Sequence, residues 1–274
     1  MSNNRSLELT CYSVGFGAFG VFIRWLQLQI AFDENGLVDK SVFNFLVPAL
    51  IIGTALLFQS LIEKERHARR YLPKDFCVAL YNPGKIFEIL RWAFGIMMII
   101  GALFIIATCE VDPNADFLRV LAIIGIAAGV SYPLLLTSAN KPHVTKPGFV
   151  SFLSFIPILF FAVFLILSYK ENATNSIVWE YLVEVVTIIV TMIAFFRMAG
   201  FAFLQPDPWK AMFWCMWATT LCIMSIADSR NLSLQIIFLA SAGMLSLYNW
   251  IMLDNLQQRP PKETVEPEDG FEHL

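Results

Sequence analysis

Long runs of apolar residues alternate with short polar segments along this chain. An α-helix rises 1.5 Å per residue, so about 20 apolar residues cross the roughly 30 Å hydrocarbon core of a bilayer. The pattern predicts an all-α fold, a polytopic transmembrane helix bundle of about eight spans. The predicted spans are about Leu7–Ile30, Val42–Ile62, Lys85–Thr108, Asp116–Ala139, Phe149–Tyr169, Ile177–Phe203, Ala211–Ala227 and Leu232–Leu253. The count depends most on residues 211–253, where one short span is followed after four residues by the next.

The basic residues between the spans predict the orientation of the bundle, because Lys and Arg beside spans are retained in the cytoplasm. With the N-terminus inside, the outer segments hold three of them, Lys40, Lys170 and Arg230. The inner segments hold Arg5, Lys64, Arg66, Arg69, Arg70, Lys74, Lys141, Lys146, Lys210, Arg259 and Lys262. The bias predicts cytoplasmic N- and C-termini. Residues 1–255 are predicted to form a single transmembrane domain, and residues 256–274 a polar, disordered cytoplasmic tail.

Composition and motifs exclude several classes of function. The chain of 274 residues is 57% hydrophobic and 15% charged, and its longest predicted loop, about 63–84, is too short to form a core of its own. A basic stripe typical of nucleic-acid binding is absent, as are phosphate-binding and hydrolase motifs. The three His and five Cys are scattered without metal-ligand spacing. We therefore expect no metal, no cofactor, no nucleic-acid partner, no catalytic residue and no enzymatic activity.

An arginine lies deep inside the first predicted span. Arg24 is six residues from its outer end, about 9 Å deep. A bare charge at the membrane centre costs about 2.5–3.5 kcal/mol on the lenient insertion scale, so we expect it to face protein or water. Arg24 shares a helix face with Ser13, Gly17, Gly20 and Gln27. Because small residues let a second helix approach closely, we expect this face to point into the bundle.

The sixth predicted span carries the complementary charge. Glu180, Glu184, Thr187 and Thr191 follow at spacings of four, three and four, and Glu184 lies about as deep as Arg24. We predict that Arg24 pairs with Glu184. Two interpretations remain open: a structural ion pair that fixes helix register, or the edge of an outward-facing polar cavity. The candidate intramembrane polar site comprises Arg24, Gln27, Glu180, Glu184, Thr187 and Thr191.

Prolines within three spans predict helix kinks. Pro48, Pro133 and Pro157 lie in the second, fourth and fifth spans, and each removes one backbone hydrogen bond. In the fourth span Gly125 and Gly129 add a small-xxx-small face before the proline. Kinked helices surround the cavities of many transporters, but Pro and Gly are equally common in membrane helices that only pack.

Two segments carry a family resemblance. RWLQLQIAFDENGLV (residues 24–38) and FFRMAGFAF (residues 195–203) resemble a group of uncharacterised polytopic membrane proteins of Gram-positive anaerobic bacteria. The resemblance implies a multi-pass protein of the cell membrane and no known activity.

Three functions are compatible with the sequence. A small-solute transporter or permease would use the polar faces of spans one and six to bind a solute or an ion. A non-catalytic membrane subunit or sensor would instead assemble with a partner subunit through the basic loop near Glu63–Lys74. An intramembrane enzyme is the weakest alternative, because the acids lack partner histidines, a serine nucleophile or a metal set. In all three cases the lipid bilayer is the main partner.

Overall fold

A computed structural model describes residues 3–30, 42–68, 70–73, 75–109, 115–141, 146–172, 178–228 and 231–258 of the protein. Within these ranges eight helices are long and apolar enough to cross a membrane. The predicted all-α, eight-span bundle is therefore confirmed, including the two helices between residues 208 and 254.

The long helices agree with the predicted spans to within a few residues at most ends. The second continues to His67, beyond the predicted end at Ile62, because Glu, Lys and Arg favour helix even outside the apolar run. The helices are α1 (Asn3–Ile30), α2 (Phe43–His67), a short α3 (Phe76–Ala79), α4 (Lys85–Thr108), α5 (Ala115–Asn140), α6 (Pro147–Asn172), α7 (Val178–Ala202), α8 (Pro208–Met224) and α9 (Leu232–Asp254). A 3-10 turn, Ser225–Ala227, extends α8.

Six of the helices form a closed ring. Each helix from α4 to α9 packs against the next, and α9 returns to pack against α4. The first helix lies outside this ring against α8 and α9, and α2 packs against α1 and α8 at the periphery. We call the end of the bundle that holds Ile30 and Asp228 the outer end, and the end that holds Asp254 the inner end.

Aromatic side chains fill the interior of the ring. Tyr132 of α5 stacks on Phe195 of α7 with ring centroids 5.4 Å apart, and its hydroxyl lies 3.2 Å from that of Ser241 on α9. Phe164 of α6 packs against Phe238 of α9 at 5.7 Å. Because these contacts join helices that are not neighbours in the ring, the ring encloses a packed core.

Glycines set the closest helix contacts. A Cβ atom at Gly95 of α4 would lie 2.6 Å from the carbonyl oxygen of Gly129 on α5 and 2.8 Å from Pro133 Cδ. The small face predicted at Gly125 and Gly129 is therefore a close contact with α4. The three prolines Pro48, Pro133 and Pro157 lie inside α2, α5 and α6. The kinks predicted at them stay a prediction.

The segment of residues 75–84 closes the inner end of the ring. Phe76, Ala79 and Leu80 are buried. Asn255 Nδ2 donates to the carbonyl oxygens of Ala79 and Tyr81 at 2.9 and 3.0 Å. We call this segment the inner plug.

Two further contacts hold the plug and the chain just before it. Asn82 and Asn140 exchange two hydrogen bonds, at 2.9 and 2.8 Å. Arg70–Tyr71 (β1) pairs antiparallel with Gln257–Gln258 (β2). Residues 257–258, which the sequence analysis assigns to the tail, thus form backbone contacts with the chain between α2 and the inner plug. Residues 259–274 of the predicted tail lie outside the described residues.

Candidate functional site

The polar face predicted on α1 points into the bundle. Ser13, Gly17, Gly20, Arg24 and Gln27 are all buried, and the Arg24 side chain is 0% exposed. A Cβ atom at Gly17 would lie 2.8 Å from Ile223 Cβ, and one at Gly20 would lie 3.1 Å from Met224 Cγ. The two glycines therefore bring α1 and α8 together, as the small residues predict.

Arg24 forms a buried ion pair with Asp228. Arg24 Nε donates to Asp228 Oδ1 at 2.7 Å, and Arg24 Nη1 donates to Gln27 Oε1 at 2.6 Å. The sequence analysis predicted Glu184 as the partner of Arg24 and did not propose Asp228. The Arg24–Glu184 pair stays a prediction. A charge-assisted contact of this length in a low-dielectric interior is among the stronger polar contacts a protein makes.

The register of α1 on α8 explains the Arg24–Asp228 pair. The two helices run in the same direction, and Thr220 Oγ1 donates to the Ser13 carbonyl oxygen at 2.8 Å. Further out Gly20 meets Met224, and Arg24 then meets Asp228. The steps are seven and four residues along α1 and four and four along α8, all close to whole helical turns, so the same two faces stay in contact up to the outer end.

Sequence analysis missed Asp228 because it placed this residue in the loop after the seventh span. The chain continues through the 3-10 turn after α8, and Asp228 is only 6% exposed. A signal was present: Thr220, Met224 and Asp228 repeat at intervals of four, the spacing of one helix face. An acid on that face is a candidate partner for an intramembrane arginine.

Glu184 of α7 is buried near the same end of the bundle. Its side chain is 2% exposed, and Ser168 Oγ of α6 donates to Glu184 Oε1 at 2.7 Å. Asn172 Nδ2 donates to the Ser168 carbonyl oxygen at 2.8 Å, one turn nearer the outer end. The acid therefore joins α6 and α7.

The two threonines of the predicted site join α7 to α8. Thr187 Oγ1 lies 2.7 Å from Ser225 Oγ, and Thr191 Oγ1 lies 3.1 Å from Cys222 Sγ. Both threonines are 0% exposed. Glu180, the remaining predicted site residue, lies outside the residues whose side chains the structure describes.

A small cavity brings the two acids into one site. Its lining includes Glu184, Ser225, Asp228 and Gln235. Gln235 Nε2 donates to the carbonyl oxygens of Ile226 and Asp228 at 3.2 and 3.3 Å. The volume of the cavity is about 10 Å³, about enough for one water molecule. We call Arg24, Gln27, Glu184, Thr187, Ser225 and Asp228 the buried polar cluster.

The cluster combines one guanidinium with two carboxylates inside the bundle. Such groups can hold a water molecule, exchange a proton or bind a small ion, because charge inside a membrane protein needs a compensating partner. Among the described residues, no group of three or more His, Cys, Asp or Glu is arranged to hold a metal ion.

Comparisons with protein-family models, with curated proteins and with solved structures find no match to this chain. The resemblance carried by residues 24–38 and 195–203 therefore stays a prediction.

Proposed function

We propose that this multi-pass membrane protein is a small-solute transporter of the cell membrane whose polar site is the buried polar cluster. The observation that carries the proposal is the 0% exposed Arg24, paired with Asp228 in the outer half of the bundle. Buried intramembrane charges are costly and commonly line substrate or ion pathways. Glu184 supplies a second carboxylate at the cavity that Asp228 also lines.

The proposal assigns a role to each charged group. Arg24 attracts the anionic part of a solute and is held in place by Asp228 and Gln27. Glu184 binds and releases a proton or a small cation, assisted by Ser168. Glu184 and Asp228 line the same cavity, so a proton or cation bound there can move from one carboxylate to the other. This cavity is therefore where binding of the solute and of the ion would be coupled.

The arrangement corresponds to an occluded state of such a transporter. The cavity at the cluster holds about one water molecule, the ring interior is filled by aromatic side chains, and the inner plug closes the inner end. Transport then requires an opening between α1, α8 and α7 on the outer side and a displacement of the plug on the inner side.

A non-catalytic membrane subunit or sensor is the second candidate, and one observation favours it. The core around the cluster is densely packed, and its cavity is the size of a single water molecule. In that case the Arg24–Asp228 pair only fixes the register of α1 on α8. The two candidates differ in whether the cluster ever becomes accessible to water.

Cysteine accessibility separates the two candidates without knowledge of the solute. Ser225, 3% exposed, lines the cavity, whereas Thr219 on the preceding helix α8 is 0% exposed and does not line it. In sealed vesicles, a membrane-impermeant thiol reagent added outside should label S225C slowly and leave T219C unlabelled, as read by mass spectrometry at each position. If neither labels, the cluster is a permanent structural clamp and the transporter proposal fails.

A flux measurement tests the role of Glu184. Purified protein in liposomes should admit protons under an inside-negative potassium diffusion potential, with a panel of small amino acids, sugars and organic acids present outside. E184Q should reduce this flux to that of empty liposomes. D116N, which neutralises an exposed acid on α5 whose partner Arg119 is also exposed, is the control and should retain it. Equal flux in wild type and E184Q would contradict the assignment.

A further inference from the structure

A second cavity lies at the inner end, outside the helix ring and at the opposite end of α8 from the buried polar cluster. It has a volume of about 260 Å³ and opens between the last turns of α2 and the first turns of α8. Its charged and aromatic lining is Glu63, Arg66, Asp207, Trp209, Lys210 and Phe213. We call it the inner-end pocket.

The pocket presents two cations and two acids. Lys210 Nζ lies 2.8 Å from Asp207 Oδ2, and Gln59 Nε2 donates to Glu63 Oε1 at 2.9 Å. Arg66 is exposed and forms no ion pair with any described residue. One guanidinium is therefore available to a ligand, whereas the ammonium of Lys210 is shared with Asp207.

The first turn of α8 is capped by a carboxylate that also lines the pocket. Asp207 caps this helix, its side chain accepting a hydrogen bond from the Lys210 backbone N–H at 3.4 Å. The N-terminal turn of a helix carries partial positive charge and favours anions. Burial acts to raise the pKa of Asp207, but its hydrogen bonds to Lys210 and the charges of Lys210 and Arg197 outweigh burial, so the pKa is lowered and the acid stays ionised.

The pocket faces the boundary between protein and lipid. Its α2 wall belongs to a peripheral helix that packs mainly against α1, α8 and β1, and Leu56 and Leu57 on that helix are exposed. Beside it on α8, Phe213, Trp214 and Trp217 form an aromatic cluster with ring centroids 5.3–5.9 Å apart. Trp and Tyr concentrate at headgroup level, so this cluster places the pocket beside the inner leaflet.

We propose that the inner-end pocket binds the headgroup of an aminophospholipid, a phosphodiester that carries a primary ammonium. Arg66 binds the phosphate beside the ammonium of Lys210, and Glu63 accepts hydrogen bonds from the ammonium of the headgroup. Two acids in the lining disfavour a purely anionic headgroup, since like charges repel. A quaternary ammonium has no N–H to donate to Glu63, so an ethanolamine headgroup fits better than a choline headgroup.

The size of the pocket agrees with this ligand. At about 260 Å³ it lies just below the roughly 300–1,000 Å³ of sites for drug-sized molecules, and it suits a small polar group whose acyl chains stay in the bilayer. Exposed apolar side chains of α2 next to the pocket provide the surface on which those chains would lie.

Lipid retention by the full-length protein tests the proposal. Wild type, R66Q and K64Q are purified in detergent, incubated with defined lipid mixtures and analysed by native mass spectrometry. Lys64 is the matched control, because it lies on the same turn of α2, is exposed and does not line the pocket. Loss of one charge-assisted contact should weaken phosphatidylethanolamine binding about tenfold in R66Q and leave K64Q unchanged. E63Q should reduce the preference for ethanolamine over choline headgroups.

Each outcome decides the proposal. Preferential retention of phosphatidylethanolamine that R66Q abolishes and K64Q preserves would support it. Equal retention by R66Q and K64Q, or retention of phosphatidylglycerol at least as strong as that of phosphatidylethanolamine, would overturn it. Soluble glycerophosphoethanolamine distinguishes the source of the headgroup: if it displaces the lipid at equal concentration, the pocket takes a free phosphodiester and the lipid assignment fails.

Discussion

At the scale of single residues, the Arg24–Asp228 pair is the feature on which the bundle depends most. The side chains of both partners are almost fully buried, and removal of one leaves the other charge in a low-dielectric interior. Replacement of both by apolar residues removes the charge together with its desolvation cost. Each single substitution should therefore lower the stability of the protein strongly, whereas the double substitution should lower it much less.

We expect R24M and D228L each to destabilise the protein by about 3–5 kcal/mol, and the R24M/D228L double variant to recover most of that loss. The measurement is equilibrium unfolding in mixed micelles, followed by helix content. R119M is the control: Arg119 pairs with Asp116 on an exposed helix face, and its loss should change stability little. A double variant as unstable as the sum of the two single variants would contradict the pairing.

The residues of the cluster could be predicted from the sequence only in part. Helical spacing placed Arg24 and Gln27 on one buried face, and Glu184, Thr187 and Thr191 on another, as the structure has them. Spacing along one helix cannot determine which helix packs against it or in what register. The partner of Arg24 follows from the contact between Gly20 and Met224, which is a property of two helices together.

At the scale of helices, close contacts through glycine hold the ring together. The contact between Gly95 and Gly129 brings two backbones within reach of each other, and backbone atoms cannot rotate away as a side chain does. The face of Gly125 and Gly129 was predicted from its spacing. Its partner face on α4, Gly95 and Ala102, was not, because spacing within one helix does not show which other helix that face meets.

We expect G95A to destabilise the protein by about 1–3 kcal/mol, because its methyl group would lie 2.6 Å from the Gly129 carbonyl oxygen. G15A is the matched control. A Cβ atom at Gly15 meets nothing within 4 Å, so alanine there should be neutral or stabilising through its higher helix propensity. Unfolding in mixed micelles compares the two, and equal stability of G95A and G15A would contradict the packing.

The inner plug is the element that sequence patterns predicted least. Residues 75–84 are too short for a span and too mixed in polarity for a periodic pattern, yet Phe76 and Leu80 are buried. Their burial depends on Asn255, which follows α9 and lies more than 170 residues away along the chain. Long-range contacts of this kind leave no periodic signal.

We expect N255A to loosen the plug without unfolding the bundle. The change removes two hydrogen bonds, to the Ala79 and Tyr81 carbonyl oxygens, which contribute about 1 kcal/mol each. Hydrogen exchange of residues 76–80 should accelerate about tenfold or more, while exchange in α5 stays unchanged. N231A is the control, since Asn231 Nδ2 makes a single 3.5 Å contact at the outer end. Unchanged exchange in N255A would show that apolar burial alone holds the plug.

At the scale of the whole molecule, the eight spans could be predicted because length and hydropathy alone determine them. The closed ring of α4 to α9, with α1 and α2 outside it, could not. Ring order depends on which apolar faces fit together, and lipid-facing and protein-facing surfaces of a membrane helix are both apolar. The orientation in the membrane is predicted from the distribution of basic residues, and labelling of Cys77 tests that prediction directly.

Cys77 lies on the inner plug, half-buried and outside the membrane-spanning helices. Burial, and secondly the charge of Asp75, raise the pKa of its thiol above the ordinary value of 9.0. Only the thiolate reacts with maleimides, so labelling at pH 7 should be slow and should rise about tenfold per pH unit up to pH 9. A membrane-impermeant maleimide should label Cys77 in inside-out vesicles and leave it unmodified in right-side-out vesicles, with C77S as the control for the assigned peptide. Labelling from the outer side would reverse the orientation that the basic residues predict, and a rate independent of pH would contradict the burial of the thiol.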